Sequence, residues 1–188
     1  MKKTKVRKIV RFNKVLCFII ICILTYVFVK AGFVYPVKRT IGGYVLIMLK
    51  CVLAMELNSV LHECIHALTG KLVIPDAKFK LVFGFNKAQT KRIGGDPTRI
   101  QDQIYTIMPF VILSIVAFFI GLAANDKTDF IMLMVIFNTA GCVSDIEWFF
   151  WLFCFPMNMP LSQMNIGMVE HKNWYCKFWA KWNRYFAN

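Results

Sequence analysis

Leu61-His62-Glu63-Cys64-Ile65-His66-Ala67-Leu68 is the stretch on which the reading of this chain turns. It has the form His-Glu-x-x-His. On an α-helix, residues four apart share a face, so His62 and His66 can present two ring nitrogens to one ion. Glu63, beside His62, can reach a water on that ion. Two ligands plus a carboxylate that takes a proton from the activated water is the pattern of zinc metallohydrolases. The flanking residues Val60, Leu61, Ile65, Ala67 and Leu68 are compatible with a helix, and no Pro interrupts them. The competing reading is a pair of packing histidines with a salt-bridging Glu. It is the weaker one, because Glu and His are costly on an apolar helix unless they are paired or functional.

The surroundings are those of a membrane. The chain has 188 residues, 58% of them hydrophobic, and a mean hydropathy of +0.55. Its apolar residues fall in long runs, which points to a single integral membrane domain. The formal charge of +13 raises the question of nucleic acid. The basic residues lie between the apolar runs and form no aromatic-interleaved patch, so membrane topology accounts for them better and no nucleic-acid partner is expected. Cys17, Cys22, Cys51, Cys64, Cys142, Cys154 and Cys176 are odd in number and include no C-x-x-C pair. They read as small buried hydrophobes.

The fold expected is an all-α integral membrane protein with about four transmembrane helices, a small cytoplasmic β-hairpin and a C-terminal interfacial helix. Residues 1–14 form a basic cytoplasmic N-terminus. A first span follows over 14–35. It reads as retained rather than as a cleaved signal, since no A-x-A-like site follows it. Val37-Lys38-Arg39 make a short outer loop. The second span, 41–70, carries the metal motif to its cytoplasmic end and stops near Gly70, a C-cap residue type. Residues 71–102 form a polar cytoplasmic loop. Within it Lys78 to Phe85 alternates with period two, which predicts a strand, and Asn86-Lys87 predicts the turn of a hairpin reaching about Ile93. An amphipathic loop lying on the membrane is the alternative. Thr98 and Gln101 match a helix capping box. Spans three and four cover 103–124, with Pro109 as a kink or helix start, and 130–155, with an outer loop at 125–129 between them. The tail, 156–188, is aromatic and basic, with Lys177, Lys181 and Arg184 in one stripe, as in a helix held to anionic lipid.

The charge distribution supports this topology. Eighteen Lys and Arg fall in the segments assigned to the cytoplasm and four on the outer side: Lys38, Arg39 and Lys127 in the loops and Lys30 at the outer end of the first span. Such a bias predicts a multi-pass protein of the cell membrane with both termini cytoplasmic.

An open catalytic zinc site needs a third protein ligand. Asp145, Glu147, Glu56 and His171 are the candidates. Glu56 points to the far side of the motif helix, Glu147 faces nearly opposite to Asp145, and His171 sits in the tail. Asp145 is an acid inside an apolar span, which marks a functional position by default. Counted from the outer ends of their spans, His62 and His66 lie about 30 Å down and Asp145 about 24 Å at 1.5 Å per residue. Asn138 precedes Asp145 by two turns on the same face. Asn58 precedes His62 by one turn and reads either as a second support for the site or as an Asn bonded to a neighbouring helix.

An intramembrane His-Glu-Cys-Ile-His followed by Asn138 and Asp145 in a later span resembles the site-2 type of intramembrane zinc metalloprotease. The small size, four spans, Met108-Pro109-Phe110, and Asn138-x-x-Gly141-x-x-x-Asp145-Ile146 resemble more closely the bacterial putative zincin peptidase family. The likeness covers about residues 40–155. Site-2 proteases carry a Pro within the Asn motif and a Gly after the Asp, where this chain has Gly141 and Ile146. The resemblance implies His62, His66 and Asp145 as ligands of Zn²⁺, Glu63 as catalytic base, and Asn138 as a substrate-binding or oxyanion contact.

The function expected is therefore a membrane-embedded zinc metallopeptidase that hydrolyses a membrane-associated protein or peptide near the cytoplasmic face, with that substrate and the lipid bilayer as partners. The hairpin offers edge hydrogen bonds to an extended peptide. The alternative is a non-enzymatic membrane protein of interaction or immunity type with a structural metal or none. A fourth protein ligand, such as Cys64 or His171, would favour it.

Overall fold

The computed structural model describes residues 14–30, 40–84, 87–123, 129–164 and 173–186. The basic N-terminus, both expected outer loops apart from Asp129, the tip of the hairpin and His171 lie outside the described residues. In order, the elements are α1 (Lys14–Lys30), α2 (Ile41–Val73), β1 (Ala77–Gly84), β2 (Lys87–Gly94), α3 (Arg99–Ala123), α4 (Asp129–Gly141), α5 (Val143–Leu152), a 3₁₀ turn (Leu161–Gln163) and α6 (Trp174–Phe186). The protein is mostly helical, with one two-stranded antiparallel sheet.

α2 is the spine of the molecule. Thr40 caps it through a hydrogen bond from Gly43 N–H to its hydroxyl at 3.1 Å. At 33 residues it is about 50 Å long, well beyond the roughly 30 Å of a hydrocarbon core. By length and composition α2 and α3 can each cross a membrane, and α4 with α5 can do so as one span bent by 46°. α1 has 17 residues, the lysines at its two ends included, and falls short of that test. Two or three crossings, not four, are thus met among the described residues.

Gly70 does not end α2. The helix continues one turn to Val73, and Ile74 N–H closes it onto Gly70 C=O at 2.9 Å. Gly70 serves packing instead: a Cβ there would lie 2.4 Å from the ring of Phe79 on β1. The missing side chain lets the hairpin lie against the helix. The hairpin forms, with Gly84 paired to Lys87 and Ala77 to Gly94, so Lys87 belongs to β2 and not to the turn expected at Asn86-Lys87. Phe79 and Leu81 are half-buried as the alternation predicts, but Phe83 is exposed.

The capping box also forms, with Thr98 N–H donating to Gln101 Oε1 at 2.9 Å. The next free N–H groups of α3 find carbonyls in the segment after α5: Arg99 N–H bonds Met159 C=O at 2.9 Å and Ile100 N–H bonds Met157 C=O at 3.2 Å. A helix start buried in this way must find such partners. The tail is consequently part of the body. Trp151, Leu152, Cys154, Phe155, Met164 and Cys176 form one buried cluster, and Tyr175 O–H donates to Phe150 C=O. On α6, Cys176 is buried, while Trp174, Lys177, Phe178 and Lys181 remain exposed.

The expected fourth span is broken. α4 ends at Gly141, Cys142 forms a turn with φ −83° and ψ 3°, and α5 resumes at Val143. Gly141 weakens the helix locally. Cys142 N–H still reaches Asn138 C=O at 3.0 Å, and Ile146 N–H reaches Cys142 C=O at 2.8 Å, so the chain bends without exposing buried backbone groups. The bend turns the start of α5, and with it Asp145, toward α2.

Candidate metal centre

His62 and His66 project from one face of α2, as their spacing requires. Asp145 Oδ2 lies 3.1 Å from His62 Nε2 and 3.4 Å from His66 Nε2. One ligand atom from each of the three residues falls within 4.8 Å of the others. Among the described residues no fourth His, Cys, Asp or Glu joins this group. Cys64 and Glu147 are outside it, and His171 is outside the described residues.

The far nitrogen of each imidazole has a partner. His66 Nδ1 lies 3.0 Å from the carbonyl oxygen of Tyr105 on α3. That carbonyl is free because of Pro109. The helical partner of Tyr105 C=O would be the N–H of residue 109, and proline has none. Pro109 is therefore neither a helix start nor only a kink; it lies inside α3 and opens an acceptor for a histidine on α2. His62 Nδ1 lies 3.4 Å from Cys142 Sγ. The Cys142 thiol in turn donates to Asn138 Oδ1 at 3.4 Å.

These contacts set the tautomers. With each Nδ1 donating, each Nε2 turns a lone pair toward Asp145. Two lone pairs and a carboxylate oxygen then converge with no hydrogen between them. Such a set is stable around a cation, and two imidazoles with one carboxylate suit zinc.

Glu63 points the other way along α2, toward the hairpin. Its Oε2 accepts the Thr90 backbone N–H, and Thr90 Oγ1 donates to Glu63 C=O at 2.7 Å. The strand that borders the centre is thus β2, whereas β1, where the alternation is strongest, packs Phe79 on α2 and near Tyr105. β2 is held in place by a buried cluster: Arg92 Nη1 meets Asp102 Oδ1 at 2.7 Å, and Trp148 Nε1 donates to Asp102 Oδ2 at 2.7 Å.

Asn138 is 1% exposed. Its amide nitrogen donates to Phe110 C=O at 3.2 Å and to Ser114 Oγ at 3.1 Å. Both ends of its side chain therefore engage α3 and Cys142. Sequence reasoning missed Cys142, Tyr105 and Thr90. A signal for Cys142 was present, since it lies four residues after Asn138 and three before Asp145, on their helical face. Tyr105 acts through its backbone, so only the Pro four residues on could have marked it.

Two cavities meet at the centre and share Glu63, His66 and Asp145. One, of about 280 Å³, lies toward the hairpin and is bordered by Thr90, Asp102, Thr106 and Trp148. The other, of about 430 Å³, extends between α1, α2 and α4 and is bordered by Ile21, Met55 and Phe137.

A family model described as a putative zincin peptidase matches residues 57–159, from just before the His-Glu-x-x-His stretch to beyond α5. No curated protein and no solved structure matches the chain.

Proposed function

The chain belongs to the putative zincin peptidase family, and from that premise we propose that it is a membrane-embedded zinc endopeptidase that hydrolyses a membrane-associated protein or peptide near the cytoplasmic face. The observation that carries the reading is the convergence of His62, His66 and Asp145 from α2 and α5, with Glu63 lining both adjoining cavities.

In this reading His62, His66 and Asp145 hold the ion. Zinc supplies a Lewis acid and a water acidic near neutral pH. Glu63 takes a proton from the attacking water and returns it to the leaving amide nitrogen. Its bond to Thr90 N–H fixes the carboxylate, and the remaining lone pairs stay available to a proton. Tyr105 and Cys142 keep the imidazoles turned for ligation, and Asn138 acts through Cys142. Pairing of an extended peptide with a sheet edge falls to β2, since β2 borders the centre. Four crossings with cytoplasmic termini are part of the proposal, supported by the distribution of Lys and Arg.

The test is Glu63→Gln in purified, detergent-solubilised protein, assayed on internally quenched peptides with an apolar centre. Zinc content should equal that of the wild type, while hydrolysis falls by about 10²–10⁴ through loss of the base. An unchanged rate would remove Glu63 from the chemistry and the peptidase reading with it.

A further inference from the structure

Asp102 stands at the start of α3 and is 4% exposed. Each of its oxygens is committed to a different element: Oδ1 to Arg92 Nη1 on β2 and Oδ2 to Trp148 Nε1 on α5, both at 2.7 Å. Each of these three residues lies one step along its own element from a residue that builds the metal centre. Thr90 precedes Arg92 by two positions on the same face of β2, and it bonds Glu63 through its N–H and its hydroxyl. Asp145 precedes Trp148 by one turn of α5 and lies against both histidines. Tyr105 follows Asp102 by one turn of α3, and its carbonyl meets His66 Nδ1. Asp102, Trp148 and these site residues all border the cavity of about 280 Å³.

A buried ion pair adds little net stability, because desolvating both charges offsets their attraction, and fixing register is its best-attested use. Resting on the peptidase reading, we propose that Asp102 is a positioning residue. It locks β2 and α5 to α3 at one register, and so sets the carboxylates of Glu63 and Asp145 relative to His66. The two arms have separate consequences. The arm to Arg92 acts through Thr90 on Glu63, which in this reading is the base and not a ligand. The arm to Trp148 acts through α5 on Asp145, which is a ligand.

The test cuts the arms one at a time in the full chain, purified in detergent. Trp148→Phe removes the arm to α5, and Arg92→Met the arm to β2. Gln103→Leu is the control, because it removes another buried tie between α3 and α5, the bond from Gln103 Nε2 to Phe149 C=O at 3.1 Å. Four quantities are measured: zinc affinity by chelator competition, hydrogen exchange of the segment containing Thr90, kcat and KM on an internally quenched peptide, and thermal stability. Trp148→Phe should weaken zinc binding by about tenfold or more and leave exchange at Thr90 as in the wild type. Arg92→Met should do the reverse, with zinc affinity unchanged, exchange faster by about tenfold, and kcat lower by about tenfold at unchanged KM. Gln103→Leu should leave zinc affinity, exchange and kcat at their wild-type values. If Arg92→Met does not fold, Arg92→Met combined with Asp102→Leu takes its place. That pair should keep thermal stability, as apolar replacements of buried ion pairs often do, and show both losses together.

A merely structural role would give a different pattern, in which each loss follows thermal stability and Gln103→Leu shares it. That pattern would overturn the proposal. So would wild-type zinc affinity in Trp148→Phe, or wild-type exchange at Thr90 once Arg92 is replaced. A wild type that binds zinc but hydrolyses no peptide would overturn the peptidase reading instead, and the affinity and exchange results would still decide the role of Asp102.

Discussion

Cys142 Sγ stands 3.4 Å from His62 Nδ1, on the opposite side of the imidazole from Asp145. The thiol both accepts from the histidine and donates to Asn138, so the ring of one candidate metal ligand is oriented from the turn that leads into the helix carrying another. Such supporting contacts fix ligand geometry and raise ligand basicity.

Serine in place of Cys142 keeps a donor and an acceptor, and alanine keeps neither. Cys142→Ala should lower zinc affinity by about 10–100-fold, as loss of a partner behind a ligand commonly does. Cys142→Ser should stay close to wild type. Competition with a chromophoric chelator measures both. Equal affinities in the two variants would mean that the thiol only fills space.

Pro109 leaves Tyr105 C=O open for His66 Nδ1. Pro109→Ala restores an N–H four residues on, which competes for that carbonyl. The helix should gain stability, since an interior Pro costs about 3 kcal/mol relative to Ala. Zinc affinity should fall at the same time. The opposed signs are the signature: measured thermal stability without metal rises while metal binding weakens. Tighter or unchanged zinc binding would show that the freed carbonyl does not matter.

The topology rests on eighteen Lys and Arg against four. A reporter fused after Asn188 should behave as cytoplasmic, and one inserted at Asp126 as external. The reverse pair of results would invert the orientation and place the metal centre near the outer face.

Much of this is legible in the sequence. His62 and His66 on one face of α2 follow from spacing alone. The hairpin follows from alternation between Lys78 and Phe85, and the start of α3 from Thr98 and Gln101. Asp145 stood out as an acid in an apolar run. What was not readable depends on contacts between distant segments. Gly70 looked like a C-cap because glycine ends helices, but Phe79 packs against it and the helix runs on. The fourth span looked continuous because hydropathy does not register a 46° bend. The tail looked like a free amphipathic helix because its periodicity does not reveal that α5 covers Cys176. Asn138 drew attention through its motif, yet its amide is committed to Phe110, Ser114 and Cys142.

The most direct test of the account is the zinc content of Asp145→Asn, purified in detergent beside the wild type and measured by mass spectrometry. The wild type should carry about one zinc per chain, held by three protein ligands. The amide is nearly isosteric with the carboxylate but is a poor zinc ligand. The variant should therefore lose the metal and all hydrolysis while its helicity and detergent stability persist. Full zinc with full activity in Asp145→Asn would contradict the account, because Asp145 would then be a packing residue and His62 and His66 would need another partner.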